Sequence, residues 1–232
     1  MCQPSERLED FIKRHAKQGI EAMYSREAPP SDLSHCFCCA RALSPASGQK
    51  GALFRCLDCP LSLPQCSVCV LASHKARPFD RIRQWCPKRR LWVKATIPEL
   101  DFVLYLGHEG EPCPSTPTHL DGSLDTDSRL KEMLIIHEHG QISVRALFCQ
   151  CTKPRVSQAI QLLEAGLWPA TWLEPRTAIT LATLETFHSL SLLAHVNVLD
   201  YVAHLNRLTD AVCSEDVKVR KLQSQFMLHP TP

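Results

Sequence analysis

No stretch of this 232-residue sequence holds the roughly 18 consecutive apolar residues that a membrane-crossing helix needs. The N-terminus, MCQPSERLEDFIKRHAKQG, lacks the short apolar core of a secretory signal, because charges begin at residue 6. The expectation is a chain kept in the nucleus, or else the cytoplasm, that is not secreted and has no membrane partner. Catalytic signatures are missing as well. There is no Gly-rich phosphate loop, no G-x-S-x-G elbow and no H-E-x-x-H helix, which predicts a non-enzyme with no small-molecule substrate. Internal repeats and long low-complexity tracts are also absent, and a hydrophobic content of 44% argues against disorder.

Cysteine is what the chain has in excess: thirteen in all, seven of them between positions 36 and 69. Where thiols stay reduced, such a density points to metal rather than to disulfides. Three Cys-x2-Cys pairs stand out, Cys36/Cys39, Cys56/Cys59 and Cys66/Cys69. Two intervening residues let both sulfurs converge on one zinc ion. The same spacing serves redox enzymes, but those carry a single pair in a βαβ setting. Cys38 is spare, or substitutes for a neighbour in the first pair. An interleaved, cross-braced arrangement places the first and third pairs on one zinc ion. The second pair and His74 then bind another, and Asp80 is placed to supply its fourth ligand. The segment is short of large apolar residues, so metal has to act as its cross-link. Further on, Cys113 and the Cys-x-Cys of Cys149 and Cys151 would make a third zinc site with His108; the alternative is a set of buried thiols. Cys2, Cys86 and Cys213 are lone cysteines, structural or incidental.

The formal net charge of +2 hides a local asymmetry. From 74 to 94, eight bases face one Asp, while 99 to 132 carries eight acids against two bases. The bases are Lys75, Arg77, Arg81, Arg83, Lys88, Arg89, Arg90 and Lys94. They could contact DNA phosphates, with Trp85 and Trp92 interleaved to stack on bases or to anchor the loop. The other reading is a solvated face with both tryptophans in the core.

Periodicity predicts a helix over 7–24, with Leu8, Phe11, Ile12, His15 and Ile20 near one face, broken by Pro29 and Pro30. LDFVLYL reads as a strand ending at Gly107, and a polar loop, STPTHLDGSLDTDS, follows. Two strand-like runs then meet around Gly140, with Ile142, Val144, Ala146 and Phe148 alternating, as a hairpin that delivers Cys149 and Cys151 at its far end. From Val156 onward the pattern is helical, through VSQAIQLLEAGLW, then 177–191 and 196–212. In the last, Val198, Val202, Leu205, Leu208 and Val212 form an apolar stripe. The fold class is α+β: an N-terminal helix and linker (1–30), a cross-braced zinc domain (31–95), a short β region with the Cys-x-Cys (96–154) and helices (155–232). Those helices expose an apolar surface able to drive self-association.

The run LFRCLDCPLSLPQCSVC resembles the ZZ-type zinc finger, whose relatives bind peptides or protein surfaces. A longer series of landmarks, HCFCC, ALFRCLDC, QCSVCVLASHKARPFDRIRQW, LGHEGEPCP, FCQC, QLLEAGLWPAT, PRTAITLATLETFHSLS and LNRLTD, resembles the CxC2 cysteine cluster. That cluster is associated with Kyakuja-Dileera-Zisupton (KDZ) transposases, and the likeness runs from residue 35 to about 210. The resemblance implies a histidine where this chain has Asp80, and another just after the hairpin glycine, where it reads GQIS. It also implies that the nuclease core lies downstream of the cysteine-rich region. The chain would then be a transposase-associated N-terminal module without the nuclease, binding DNA, a protein partner or the transposase catalytic region. Alternatively it is a ZZ-like interaction module or an inactive truncated remnant.

Overall fold

The computed structural model describes residues 4–43, 51–116, 129–151 and 156–210. Cys2, Val212, Cys213 and most of the polar loop after Cys113 lie outside them. The architecture is α+β, with five α-helices and two sheets among the described residues. The chain divides into two compact units, the first formed by Met1–Ala72 and Ile82–Ala95, the second by Ser73–Arg81 and Thr96–Pro232.

In the first unit, helix α1 (Pro4–Glu27) is supported on its surface by the i,i+4 ion pairs Glu9–Lys13 and Asp10–Arg14. Ala28 precedes Pro29 and so avoids helical geometry, which ends the element. Leu8, Phe11, Ile12 and Ile20 on this helix are all exposed. Its C-terminus is fastened by the buried Arg55, which donates to the Arg26 carbonyl and to the Glu27 carboxylate. The guanidinium also lies 4.4 Å from the centre of the Trp92 ring.

Strands β1 (Phe54–Cys56), β2 (Ile82–Cys86) and β3 (Leu91–Ala95) form an antiparallel sheet, and helix α2 (Ser67–Ser73) begins next to Cys66. Trp85 and Trp92 are directly opposite in register and therefore share a face, where their rings meet edge-on at 5.4 Å. They are 4% and 7% exposed and join Cys36, Leu43, Leu53 and Cys66 in the core. Base stacking by these tryptophans is thereby excluded: the aromatic surface is spent on packing.

The second unit is built on a five-stranded mixed sheet in the order β4-β6-β5-β8-β7. The expected hairpin is its centre, as β5 (Lys131–His137) and β6 (Gly140–Phe148). Strand β4 (Val103–Leu106) runs parallel to β6 at one edge. The other edge corrects the helical reading beyond residue 155. Leu167–Pro169 is strand β7, and Thr177–Thr180 is strand β8, parallel to β5. The helix expected from residue 177 starts only at Leu181, as α4 (Leu181–Ala194). Thr180 ends the strand and caps the helix, its hydroxyl accepting from the Thr183 N–H. No turn residues separate the two elements.

Alternation puts Met133 and Ile135 on one face of the sheet and Ile136 on the other. Leu162 of α3 (Gln158–Glu164) covers the first face, packing in one cluster with Leu106, Val144, Ala146 and Phe148 of the sheet. Leu184 of α4 and Tyr201, Val202 and Leu205 of α5 (Val198–Thr209) cover the second. Within the last expected stripe Val202 and Leu205 are buried, while Leu208 is exposed. Gly140 has φ +110°, and a Cβ there would lie 2.6 Å from Thr209 Oγ1, so the end of α5 can approach the hairpin turn only because the residue is glycine.

Candidate metal centres

In the first unit the chain turns back on itself around the first cysteine pair. The Cys36 N–H donates to the Arg41 carbonyl, and the Leu43 N–H to that of Ser34. The N–H groups of Cys38 and Cys66 then point at Cys36 Sγ, at 3.4 and 3.1 Å. Cys66 lies at the start of α2 and Cys69 within it, so both face the turn. The ligand atoms of Cys36, Cys39, Cys66 and Cys69 lie within 4.8 Å of one another, and the group could hold a metal ion. Cys39 and Cys66 Sγ are 3.9 Å apart, close to the roughly 3.8 Å edge of a tetrahedron of thiolates about 2.3 Å from zinc. Burial opposes ionisation of Cys36, but the backbone N–H groups of Cys39, Cys66 and Cys38 outweigh it and bring the thiol down to about 6. Burial pushes Cys66 and Cys69 up.

The second pair forms a similar turn, in which the N–H groups of Asp58 and Cys59 both lie 3.3 Å from Cys56 Sγ. Burial is the largest influence on Cys56 and pushes its thiol up to about 11. In the second unit, His74 is 1% exposed and its Nε2 lies 3.7 Å from Asp80 Oδ2.

A four-residue group closes the end of the second unit's sheet. Its members are the expected His108, Cys113, Cys149 and Cys151, and it could hold a metal ion. His108 Nε2 lies 3.1 Å from Cys149 Sγ and 3.3 Å from Cys151 Sγ; Cys113 Sγ lies 3.6 and 3.5 Å from the same two sulfurs. Parallel pairing of β4 with β6 brings the ends of these strands together, so the loops after Leu106 and Phe148 meet. Gly107 makes this contact feasible: it has φ +81°, and a Cβ would lie 2.8 Å from Cys149 Cβ. Burial opposes ionisation of Cys113, but the Ser115 hydroxyl and the N–H groups of Gln150 and Ser115 prevail and lower the thiol to about 5. Hydrogen bonding of the Cys151 thiol to Cys149 and Cys113 favours its protonated form and raises it to about 11.

The residue types and spacing did not point to Gln161. This side chain is 3% exposed on α3 and clamps the Cys-x-Cys loop from behind. Its Oε1 accepts from the Cys149 N–H at 2.8 Å, and its Nε2 donates to the carbonyls of Cys149 and Val156, each at 3.1 Å. A glutamine inside the apolar run Ala159-Ile160-Leu162 was the available signal, because a buried amide must find partners.

The basic residues are dispersed. In the second unit Lys75 is ion-paired with Glu111 and Arg77 with Asp80, while Arg81 is exposed. In the first unit Arg83 lies opposite Lys94 and pairs with Glu27. Lys88, Arg89 and Arg90 are all exposed in the tight turn between β2 and β3.

A family model described as a CxC2 like cysteine cluster associated with KDZ transposases matches residues 97–213, half of the chain. That span includes His108, Cys113, Cys149 and Cys151 but stops short of the stretch at 36–69 that was likened to a ZZ-type finger. No curated protein and no solved structure matches the chain.

Proposed function

The chain belongs to the CxC2 cysteine-cluster family associated with KDZ transposases, and from that premise we infer that it is a zinc-organised, non-catalytic module of a transposon-derived system that binds DNA. Zinc fits the donor sets: four thiolates in the first unit, three thiolates and an imidazole in the second. With four protein ligands each, neither set leaves a position for water or substrate, which supports a structural role for the metal. The reading extends to Cys56, Cys59, His74 and Asp80, whose residue types and order in the sequence suit a further ion, with Asp80 in place of the family's histidine. Zinc itself would supply only cross-linking and charge neutralisation.

The observation that carries the DNA reading is the run Lys88-Arg89-Arg90, exposed at a tight turn, with Arg83 and Lys94 on the two strands that lead to it. Such a turn suits phosphate contacts, whereas the buried tryptophans leave no aromatic platform for base readout. Binding measured by fluorescence anisotropy on duplex DNA should weaken steeply with salt, by roughly 0.9 log units per log unit of salt for each phosphate contacted. The R89E/R90E double substitution should flatten that slope. Salt-independent binding, or an unchanged slope in the double variant, would overturn the reading.

One observation favours a protein partner instead. A groove of about 820 Å³ in the first unit is lined by Pro29, Pro30, Phe37, Leu61, Leu63 and Pro64, among other residues. Apolar lining of this kind suits a peptide. Pull-down from nuclear extract that survives R89E/R90E, with no gel shift on DNA, would select this second reading.

A further inference from the structure

Helix α1 is fastened at its C-terminal end by Arg55, and none of the described strands or helices packs along the rest of it. Helical spacing gathers Leu8, Phe11, Ile12, His15, Gly19 and Ala22 on one face, while the ion pairs Glu9–Lys13 and Asp10–Arg14 lie off it. Leu8, Phe11, Ile12, Ile20 and Met23 are 52–73% exposed. A helix in water draws most of its stability from covering such a face. The five large side chains offer on the order of 600 Å², about what one partner contributes at the lower end of specific interfaces.

Gly19 points to what covers it. A glycine inside a helix costs stability relative to alanine, yet a Cβ at Gly19 would meet nothing within 4 Å, so nothing within this chain requires a residue without a side chain there. Bulk is also unevenly spread along the face: Leu8, Phe11 and Ile12 lie in its N-terminal half, Gly19 and Ala22 in its C-terminal half. Such a face is complementary to itself when reversed. Two copies laid antiparallel about a dyad at His15 bring Phe11 over Gly19 and Leu8 over Ala22, because the members of each pair are equally spaced from residue 15. A parallel pair would instead set Phe11 against Phe11 and leave a gap where Gly19 meets Gly19.

We propose that α1 is a self-association surface, through which two copies of this chain pair antiparallel with Phe11 of each seated over Gly19 of the other. The glycine then has a use: it lets the two backbones approach and gives the aromatic ring its seat. An interface of this size makes the dimer reversible and dependent on concentration.

The test is sedimentation equilibrium on the full zinc-loaded chain, with a thiol reductant present to exclude disulfide-linked copies and circular dichroism to check that each variant is folded. The wild-type chain should pass from monomer to dimer as its concentration rises. F11D, at an exposed position, should keep its helix content and remain a monomer. Gly19→Leu is the sharper variant, since leucine favours the helix and adds apolar surface. On a face that merely sticks to apolar surfaces it would tighten association, whereas in this pair it collides with Phe11 and should weaken the dimer about tenfold or more. The double substitution F11A/G19L exchanges bulk between the two positions and should recover the dimer to within a few-fold of wild type. A wild-type chain that stays monomeric up to about 100 μM would overturn the proposal. Association unchanged by F11D would overturn it as well, as would a G19L protein that dimerises as tightly as wild type. Failure of F11A/G19L to recover the dimer would overturn the antiparallel pairing of Phe11 with Gly19.

Discussion

The two units use cysteine in opposite ways. In the first, two metal-ligand candidates, Cys36 and Cys66, belong to a six-residue core with Leu43, Leu53, Trp85 and Trp92. In the second, the two core clusters on the sheet faces contain no cysteine, and the candidate centre caps the end of β4 and β6. A small core cannot bury enough apolar surface to offset chain entropy unaided, so metal binding by this group would be coupled to folding. A sheet covered on both faces can fold first and bind afterwards. The same residue types therefore act as scaffold in one unit and as clasp in the other.

Removing metal is the severest way to break this comparison. Structural zinc contributes on the order of 10 kcal/mol where it is coupled to folding. With a strong chelator, the amides of Phe54 and Trp85 should lose their protection from hydrogen exchange, while those of Ile135 and Val144 keep theirs. Joint loss in both units, or retention in both, would show that the units do not differ in this way. The converse perturbation is Leu162→Ala, which opens a cavity beneath the second unit's sheet and should cost about 2–5 kcal/mol. Thermal unfolding followed at Ile135 should move to lower temperature, while zinc loaded on the candidate centre of Cys36, Cys39, Cys66 and Cys69 should stay bound.

What the sequence made legible follows the same division. Ligand sets were readable because metal chemistry admits few residue types at short, fixed spacings, as at Cys149 and Cys151. The β5–β6 hairpin was readable from strict alternation on both sides of Gly140. Strand β8 was not, because Thr177–Thr180 runs directly into α4 with Thr180 serving both, so no turn residue marks the change. Gly166, with φ +73°, ends the α3 segment and sends the chain into β7; read as one helix, VSQAIQLLEAGLW conceals that stop. Exposure of the α1 apolar residues lies beyond periodicity, which shows that a face exists but not what covers it.

Gln161 offers a gentler probe, because it touches the clasp without being a ligand. Gln161→Leu keeps the side chain's bulk but removes its hydrogen bonds to the Cys149 carbonyl and to the Cys149 N–H, which retains only the Leu106 carbonyl. Groups that orient metal ligands from behind typically alter affinity by about 10–100-fold. Metal bound by His108, Cys113, Cys149 and Cys151 should be lost to a competing chelator at a correspondingly lower concentration, with the first unit's zinc unaffected. Equal loss from both units would mean that Gln161 supports folding generally rather than this loop.

The smallest effect comes from a buried phenol in the part of the second unit that needs no metal. Tyr201 donates to the Thr183 carbonyl at 3.3 Å, and burial, aided by the Glu138 charge, pushes its ionisation from 10.0 to about 12. A raised folded value means that the neutral form is favoured by the fold. Its contribution is therefore complete below pH 10, declines as pH rises and is gone above about 12. Tyr201→Phe should cost about 1 kcal/mol at neutral pH through the lost hydrogen bond. It should also remove the alkaline decline from the stability of the second unit. Because no cysteine or zinc takes part, this decline should be the same in zinc-loaded and chelated protein; a decline that vanished on chelation would tie the α4–α5 face of the sheet to the metal after all.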